Sequence, residues 1–198
     1  MKKYIAEFLG TFLLALVVGL SLSGKFPSVP TPVLAAITVA VCVFTMGAIC
    51  GTHINPTITI GLLSVGKIGV KDALGYLVAQ FAAGGAANLV SNALLNGARP
   101  AVVAVDSGAV FIAEVLGAFC LAYGVASVAF GKAPGAANGL TIGGSLLFGL
   151  SIAAATGSNA VLNPAVAVGL SCVSVAYLTA PIVGGVIAMQ FYKFVQSE

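Results

Sequence analysis

The residues best placed to act on another molecule are two dipeptides, Asn55-Pro56 and Asn163-Pro164, which stand 108 residues apart. Asparagine is a preferred helix N-cap, and proline is favoured at the first helical position, where no N–H is needed. Each dipeptide therefore predicts the start of a helix. The side-chain oxygen of each Asn is taken by its own helix, which leaves amide N–H groups for a passing molecule. An oxygen that accepts from both asparagines is turned with its lone pairs toward them. Such a turn interrupts a proton-conducting chain of waters. A single Asn-Pro pair is an ordinary bend; two at equivalent positions of a repeated pattern make a site.

Other reactive residue types are sparse. Cys42, Cys50, Cys120 and Cys172 lie in or beside apolar segments with no C-x-x-C spacing, so they read as small buried hydrophobes. His53 is the only histidine, and a lone histidine builds neither a metal site nor a catalytic pair. Glu7 and Glu114 are the only acids inside apolar runs. With no Ser/His/Asp set and no paired midplane carboxylates, the chain is not expected to be an enzyme or to hold a cofactor or metal. No basic cluster with interleaved aromatics points to nucleic acid.

The elements around these residues belong in a membrane. Of 198 residues, 60% are hydrophobic and 7% are charged, and the mean hydropathy is +1.13. Soluble domains carry roughly 25% charged residues, and a soluble fold of this composition would expose aggregating apolar patches. A spanning helix needs about 20 mostly apolar residues. Six segments qualify, near 4–23, 32–50, 73–95, 109–130, 139–157 and 175–195. Pro181 falls inside the sixth and should kink it or be tolerated by packing. An even number of spans puts both termini on one side. Lys2, Lys3, Lys67, Lys71, Lys132 and Lys193 then share that side, against Lys25 and Arg99 on the other. This bias makes both ends cytoplasmic.

Two stretches remain, near 51–66 and 157–174. Each opens on Gly and polar residues, reaches Asn-Pro, and then runs apolar for about ten residues, enough helix for about 15 Å, half of a bilayer core. They read as re-entrant half-helices, whose irregular backbone survives only where protein buries it or a wet cavity receives it.

The pattern is stated twice. Tyr4-Ile5-Ala6-Glu7-Phe8-Leu9-Gly10 returns as Phe111-Ile112-Ala113-Glu114-Val115-Leu116-Gly117, Asn55-Pro56 returns as Asn163-Pro164, and Tyr76-Leu77 with Gly84 returns as Tyr177-Leu178 with Gly185. Such self-similarity marks an internal repeat. One domain built of copies 1–100 and 107–198 is expected. Each copy holds three spans, an odd number, so the second begins on the opposite side and the copies are inverted. The half-helices then enter from opposite faces and meet near the midplane, with N-terminal dipole ends that repel cations.

At this point the chain resembles the aquaporin and glycerol-facilitator family, also called major intrinsic proteins, along nearly its whole length. The resemblance rests on the Ala-Glu-x-x-Gly-Thr-Phe run near the start, on Gly51-Thr52-His53-Ile54-Asn55-Pro56-Thr57, and on Asn163-Pro164-Ala165. It implies an all-α membrane protein of six transmembrane helices and two re-entrant half-helices. It further implies a passive channel for water or small neutral solutes, one pore per subunit, usually in a homotetramer in the cell membrane. Glu7 and Glu114 would each bind backbone N–H groups of a re-entrant loop, a use that answers the cost of about 2.5–3.5 kcal/mol for a mid-span carboxylate. His53 would pack within the loop, with pore lining as the lesser role.

The chain also departs from the family. The first turn carries Thr57 where Asn-Pro-Ala is usual. Val166 directly follows the second Asn-Pro-Ala, where water-selective members place an arginine. By spacing, the remaining constriction positions fall on Ser151, on Ala160, and on either Ala35 or Val39, because the segment before Asn55 is one turn short. All are small and uncharged. A constriction wider and less polar than a strict water filter is expected, open to glycerol, urea, ammonia or peroxide. The competing reading is a secondary transporter with broken helices. That class normally has a coupling acid at the midplane, where this chain places two asparagines.

Overall fold

The computed structural model describes residues 1–24, 28–98 and 101–197. Lys25 and Arg99, used above for the charge bias, lie outside them. The described residues form eight α-helices and one 3-10 turn at Gly135–Ala137, with no strand among them. Six helices are long and apolar enough to cross a membrane: α1 (Lys2–Ser21), α2 (Thr31–Cys50), α4 (Val70–Leu94), α5 (Gly108–Ala129), α6 (Asn138–Ala155) and α8 (Val175–Val195). Their outward faces carry Ile37, Val41, Phe44, Val78, Leu89 and Ile112, all exposed, as lipid contact requires. Helix α8 runs through Pro181 without a break.

The two remaining helices are short. Helix α3 (Pro56–Ser64) has 9 residues and α7 (Pro164–Gly169) has 6, or about 14 and 9 Å of helix. The second is shorter than the ten residues expected. Ser171 turns to φ 56° and the Cys172 N–H reaches back to the Ala167 carbonyl at 2.9 Å, which closes the helix early.

Helix pairings obey one exchange rule, in which α1 to α4 trade places with α5 to α8. Helix α1 packs on α4 and α2, as α5 packs on α8 and α6; α2 meets α6 between the halves. Each half-helix lies on the last span of the other half, α3 on α8 and α7 on α4. The Gln190 amide donates to the Ser64 carbonyl at 2.8 Å, which puts the end of α3 beside the end of the sixth span. The Asn88 amide donates to the Gly169 carbonyl at 3.0 Å, which puts the end of α7 beside the end of the third. Third and sixth spans end on opposite sides, so the half-helices enter from opposite sides. The fold is an inverted repeat.

Candidate functional site

The two Asn-Pro turns meet. Asn55 caps α3, its Oδ1 accepting from the Thr57 N–H at 2.9 Å. Asn163 caps α7, its Oδ1 accepting from Ala165 N–H at 3.0 Å and Val166 N–H at 3.3 Å. The amide of each then reaches across: Asn55 Nδ2 donates to the Leu162 carbonyl and Asn163 Nδ2 to the Ile54 carbonyl, both at 3.0 Å. This corrects the expectation of wholly free amides. One hydrogen of each amide binds the opposite loop, and one remains for a molecule beside it. Both side chains are buried and line the same cavity.

The loops leading to these turns are strained. Thr52 and Ile54 have φ of 51° and 39°, and Ala160 and Leu162 both have 52°. Non-glycine residues hold such angles at a cost of order 1–3 kcal/mol each, and only where surroundings impose them. The buried glutamates are those surroundings. Glu7 accepts from the N–H groups of His53 at 2.8 Å and Ile54 at 2.7 Å. Glu114 accepts from Val161 at 2.9 Å and Leu162 at 2.7 Å, and from the Ser158 hydroxyl. A carboxylate in each half thus takes two backbone donors that lipid could not satisfy.

Around Glu7 the polar chain continues. Gln80 Nε2 donates to Glu7 at 2.8 Å and to Thr59 Oγ1 at 2.9 Å, and Thr59 Oγ1 lies 3.2 Å from His53 Nδ1. The His53 ring stands edge-on to Tyr76 with centroids 4.9 Å apart. His53 therefore packs in the loop and also lines the cavity; the two roles are compatible.

That cavity holds 190 Å³. Its walls are helical stripes at a spacing of four: Leu14 and Val18 on α1, Ala35 and Val39 on α2, Leu121 and Val125 on α5, and Ile142, Leu146, Leu150 and Ala154 on α6. A second cavity of 510 Å³ opens toward the side of the termini and shares His53, Val125 and Ile142 with the first. Among the expected constriction residues, Ala160 and Val166 line the first cavity. Ala35 and Val39 both do, one turn apart. Ser151 does not. It is exposed and its hydroxyl donates to the Leu147 carbonyl at 2.8 Å. The α6 stripe runs through Leu150 and Ala154, and one residue of helix register is a rotation of about 100°. Pro56, Thr57, Pro164 and Ala165 are buried behind the turns, outside the lining. Among the described residues, no Asp, Glu, Lys or Arg lines this cavity, and no cluster could hold a metal.

Known proteins agree with this geometry. The family model of the major intrinsic proteins matches residues 1–192. The chain belongs to the major intrinsic protein family. It is 32% identical to the glycerol uptake facilitator protein-like 6 of Lactiplantibacillus plantarum, with all of both chains covered. It is 29% identical to the probable aquaporin AqpM of Archaeoglobus fulgidus, over 82% of this chain and 74% of that one. In fold it is similar to the aquaglyceroporin of Plasmodium falciparum, with a TM-score of 0.77 at 21% identity, covering 98% of this chain and 96% of the other. Membership places the protein among multi-pass membrane channels for water and small solutes, not among enzymes.

Several residues of this major intrinsic protein's site are not singled out by sequence. Gln80 is one, although an amide in an apolar span always needs a partner. Asn159 and Ser158 are others. They sit in a Gly-Ser-Asn stretch that reads as a plain loop until Glu114 and the cavity are placed beside it.

Proposed function

We propose that this channel passes small uncharged solutes, such as glycerol, urea, ammonia or peroxide, beside or instead of water. The observation that carries the reading is the lining itself: Val166 occupies the position after the second Asn-Pro-Ala, and the surrounding wall is mostly aliphatic and, among the described residues, carries no charged side chain. A fixed arginine narrows a passage and offers several donors to water; a valine does neither. Ala35, Ala160, Leu150 and Val166 form the narrow stretch on the side away from the termini. The crossed amides of Asn55 and Asn163 supply the polar contact at the centre. With no fixed cation among the described residues of the lining, cation exclusion rests on the dipole ends of the two half-helices. Glu7 and Glu114 keep the loops in place by accepting from their backbone N–H groups.

The channel unit is one domain of repeats 1–100 and 107–198. Its location is the cell membrane with both termini cytoplasmic, supported by the lysine bias of the sequence. A homotetramer is the assembly that the family suggests, and light scattering of the detergent-purified protein tests it.

Stopped-flow light scattering on proteoliposomes tests the function. Wild type should raise water, urea or glycerol flux linearly with gradient, and saturable counterflow would instead favour a carrier. Val166→Arg should cut solute flux roughly tenfold, the discrimination that a reshaped pocket of this size gives. Unchanged solute flux would sink the constriction assignment.

A further inference from the structure

The cavity on the side away from the termini is closed partly by a segment that the repeat cannot account for. Its lining pairs with that of the other cavity at the repeat spacing: Leu22 with Ala129, Leu150 with Val43, Ala154 with Gly47, Leu170 with Leu62. Val102 breaks this rule. It belongs to the connection between the two copies, a stretch that occurs once, so the opposite mouth has no counterpart. Yet Val102 lines the cavity together with Ala35, Ala160 and Val166.

The connection is held, not merely nearby. Residues 102–105 alternate: Val102 and Ala104 are half-buried against the core, whereas Val103 and Val105 are 71% and 47% exposed. Alternation of this kind is extended backbone with one face turned inward. Asn159, itself in the lining, donates from Nδ2 to the Val103 carbonyl at 2.9 Å. The same Nδ2 lies 3.6 Å from Cys172 Sγ, and the Asn159 N–H donates to the Tyr177 hydroxyl at 3.2 Å. At the far end, Asp106 Oδ1 accepts from the Ala176 N–H at 2.9 Å. The Val103 carbonyl anchors the segment, and in an extended backbone with Val103 facing outward the preceding side chain, Val102, faces inward, into the lining of the mouth.

We propose that Val102 is a size-determining residue of the far filter and that Asn159 is its positioning residue. The inference rests on the channel reading above. The filter then has an apolar side supplied by a connection instead of a helix, and it admits neutral solutes according to their width and their tolerance of an aliphatic contact.

Size-graded flux in proteoliposomes tests this, with water, urea, glycerol and a four-carbon polyol compared for each variant. Val102→Ala should raise the polyol-to-water ratio several-fold and Val102→Phe should lower it. Asn159→Leu should raise the ratio with Val102 still present, and Asn159→Gln, which keeps the amide, should restore part of it. A second measurement uses thiol labelling. A small methanethiosulfonate reagent on Val102→Cys should stop most flux, whereas the same label on the outward Val103→Cys should not. Wild type, whose Cys42, Cys50 and Cys172 are buried, sets the background. Ratios unchanged in both Val102 variants, or equal effects of the two labels, overturn the proposal while channel activity stands. A wild type that conducts none of the solutes overturns the channel reading and this inference with it.

Discussion

The two re-entrant loops share a skeleton and differ in what surrounds it. Each has a buried glutamate accepting from two consecutive backbone N–H groups, two residues at positive φ, and an asparagine whose amide reaches the other loop. Beyond Glu7 the polar chain runs on through Gln80, Thr59 and His53. The positions equivalent to those three are Pro181, Ala167 and Val161, all apolar. Beside Glu114 stands Ser158 instead, its hydroxyl donating to the carboxylate. Holding the backbone in lipid leaves one solution, because every buried donor needs an acceptor. The residues behind that solution carry no such requirement and are free to diverge.

The sharpest way to break the comparison is to remove each glutamate in turn. Glu7→Ala strands two backbone donors and loosens the Gln80 amide; Glu114→Ala strands two backbone donors and the Ser158 hydroxyl. At about 1–3 kcal/mol per stranded donor, both should cost several kcal/mol and abolish flux. Thermal unfolding in detergent measures this, and a large loss in one variant with none in the other would end the idea of a shared job. Next come the glycines under the half-helices. A Cβ on Gly84 would land on the Ala165 carbonyl oxygen, whereas one on Gly185 would land on the Thr57 methyl. Gly84→Ala should therefore cost about 2–3 kcal/mol. Gly185→Ala should cost less and recover in a Thr57→Ala background; absence of that rescue would show that the two contacts are alike.

A smaller effect is expected for Gln80→Leu. Glu7 keeps its backbone donors and Thr59 keeps His53, so about 1–2 kcal/mol is lost, with the first loop alone opening in hydrogen exchange. The smallest concerns acid. The Ala176 N–H and then the Ser174 side chain hold the exposed Asp106 carboxyl below the ordinary aspartate value of 3.8. A depressed native pKa stabilises the fold above that value, and the gain disappears as pH falls through the lower native one. Asp106→Asn should flatten this acid limb of the melting profile; an unaltered limb would remove Asp106 as an anchor of the connection.

Much of this was legible in the residue order. The apolar runs located six spans to within a few residues, and Asn-Pro twice, each before a short apolar stretch, located the half-helices. Ser151 was misplaced because spacing carried from a family pattern cannot resolve one residue of helix rotation. The length of α7 was overestimated because apolar residues continue past Gly169, while the backbone at Ser171 does not. Val102 was invisible to spacing, since a connection between repeats carries no pattern to copy.

Read alone, the sequence determined the class, the number of crossings and the inversion. Hydrophobicity and an odd count of spans per repeat are properties of the chain in order, and they need no contact to be true. Tertiary structure alone decided which side chains face the passage, that each asparagine amide spends one hydrogen on the opposite loop, and that a connecting segment lines one mouth. Those outcomes depend on helix rotation and on hydrogen bonds between residues 56 to 109 positions apart, where directions in space, and not residue types, select the partner.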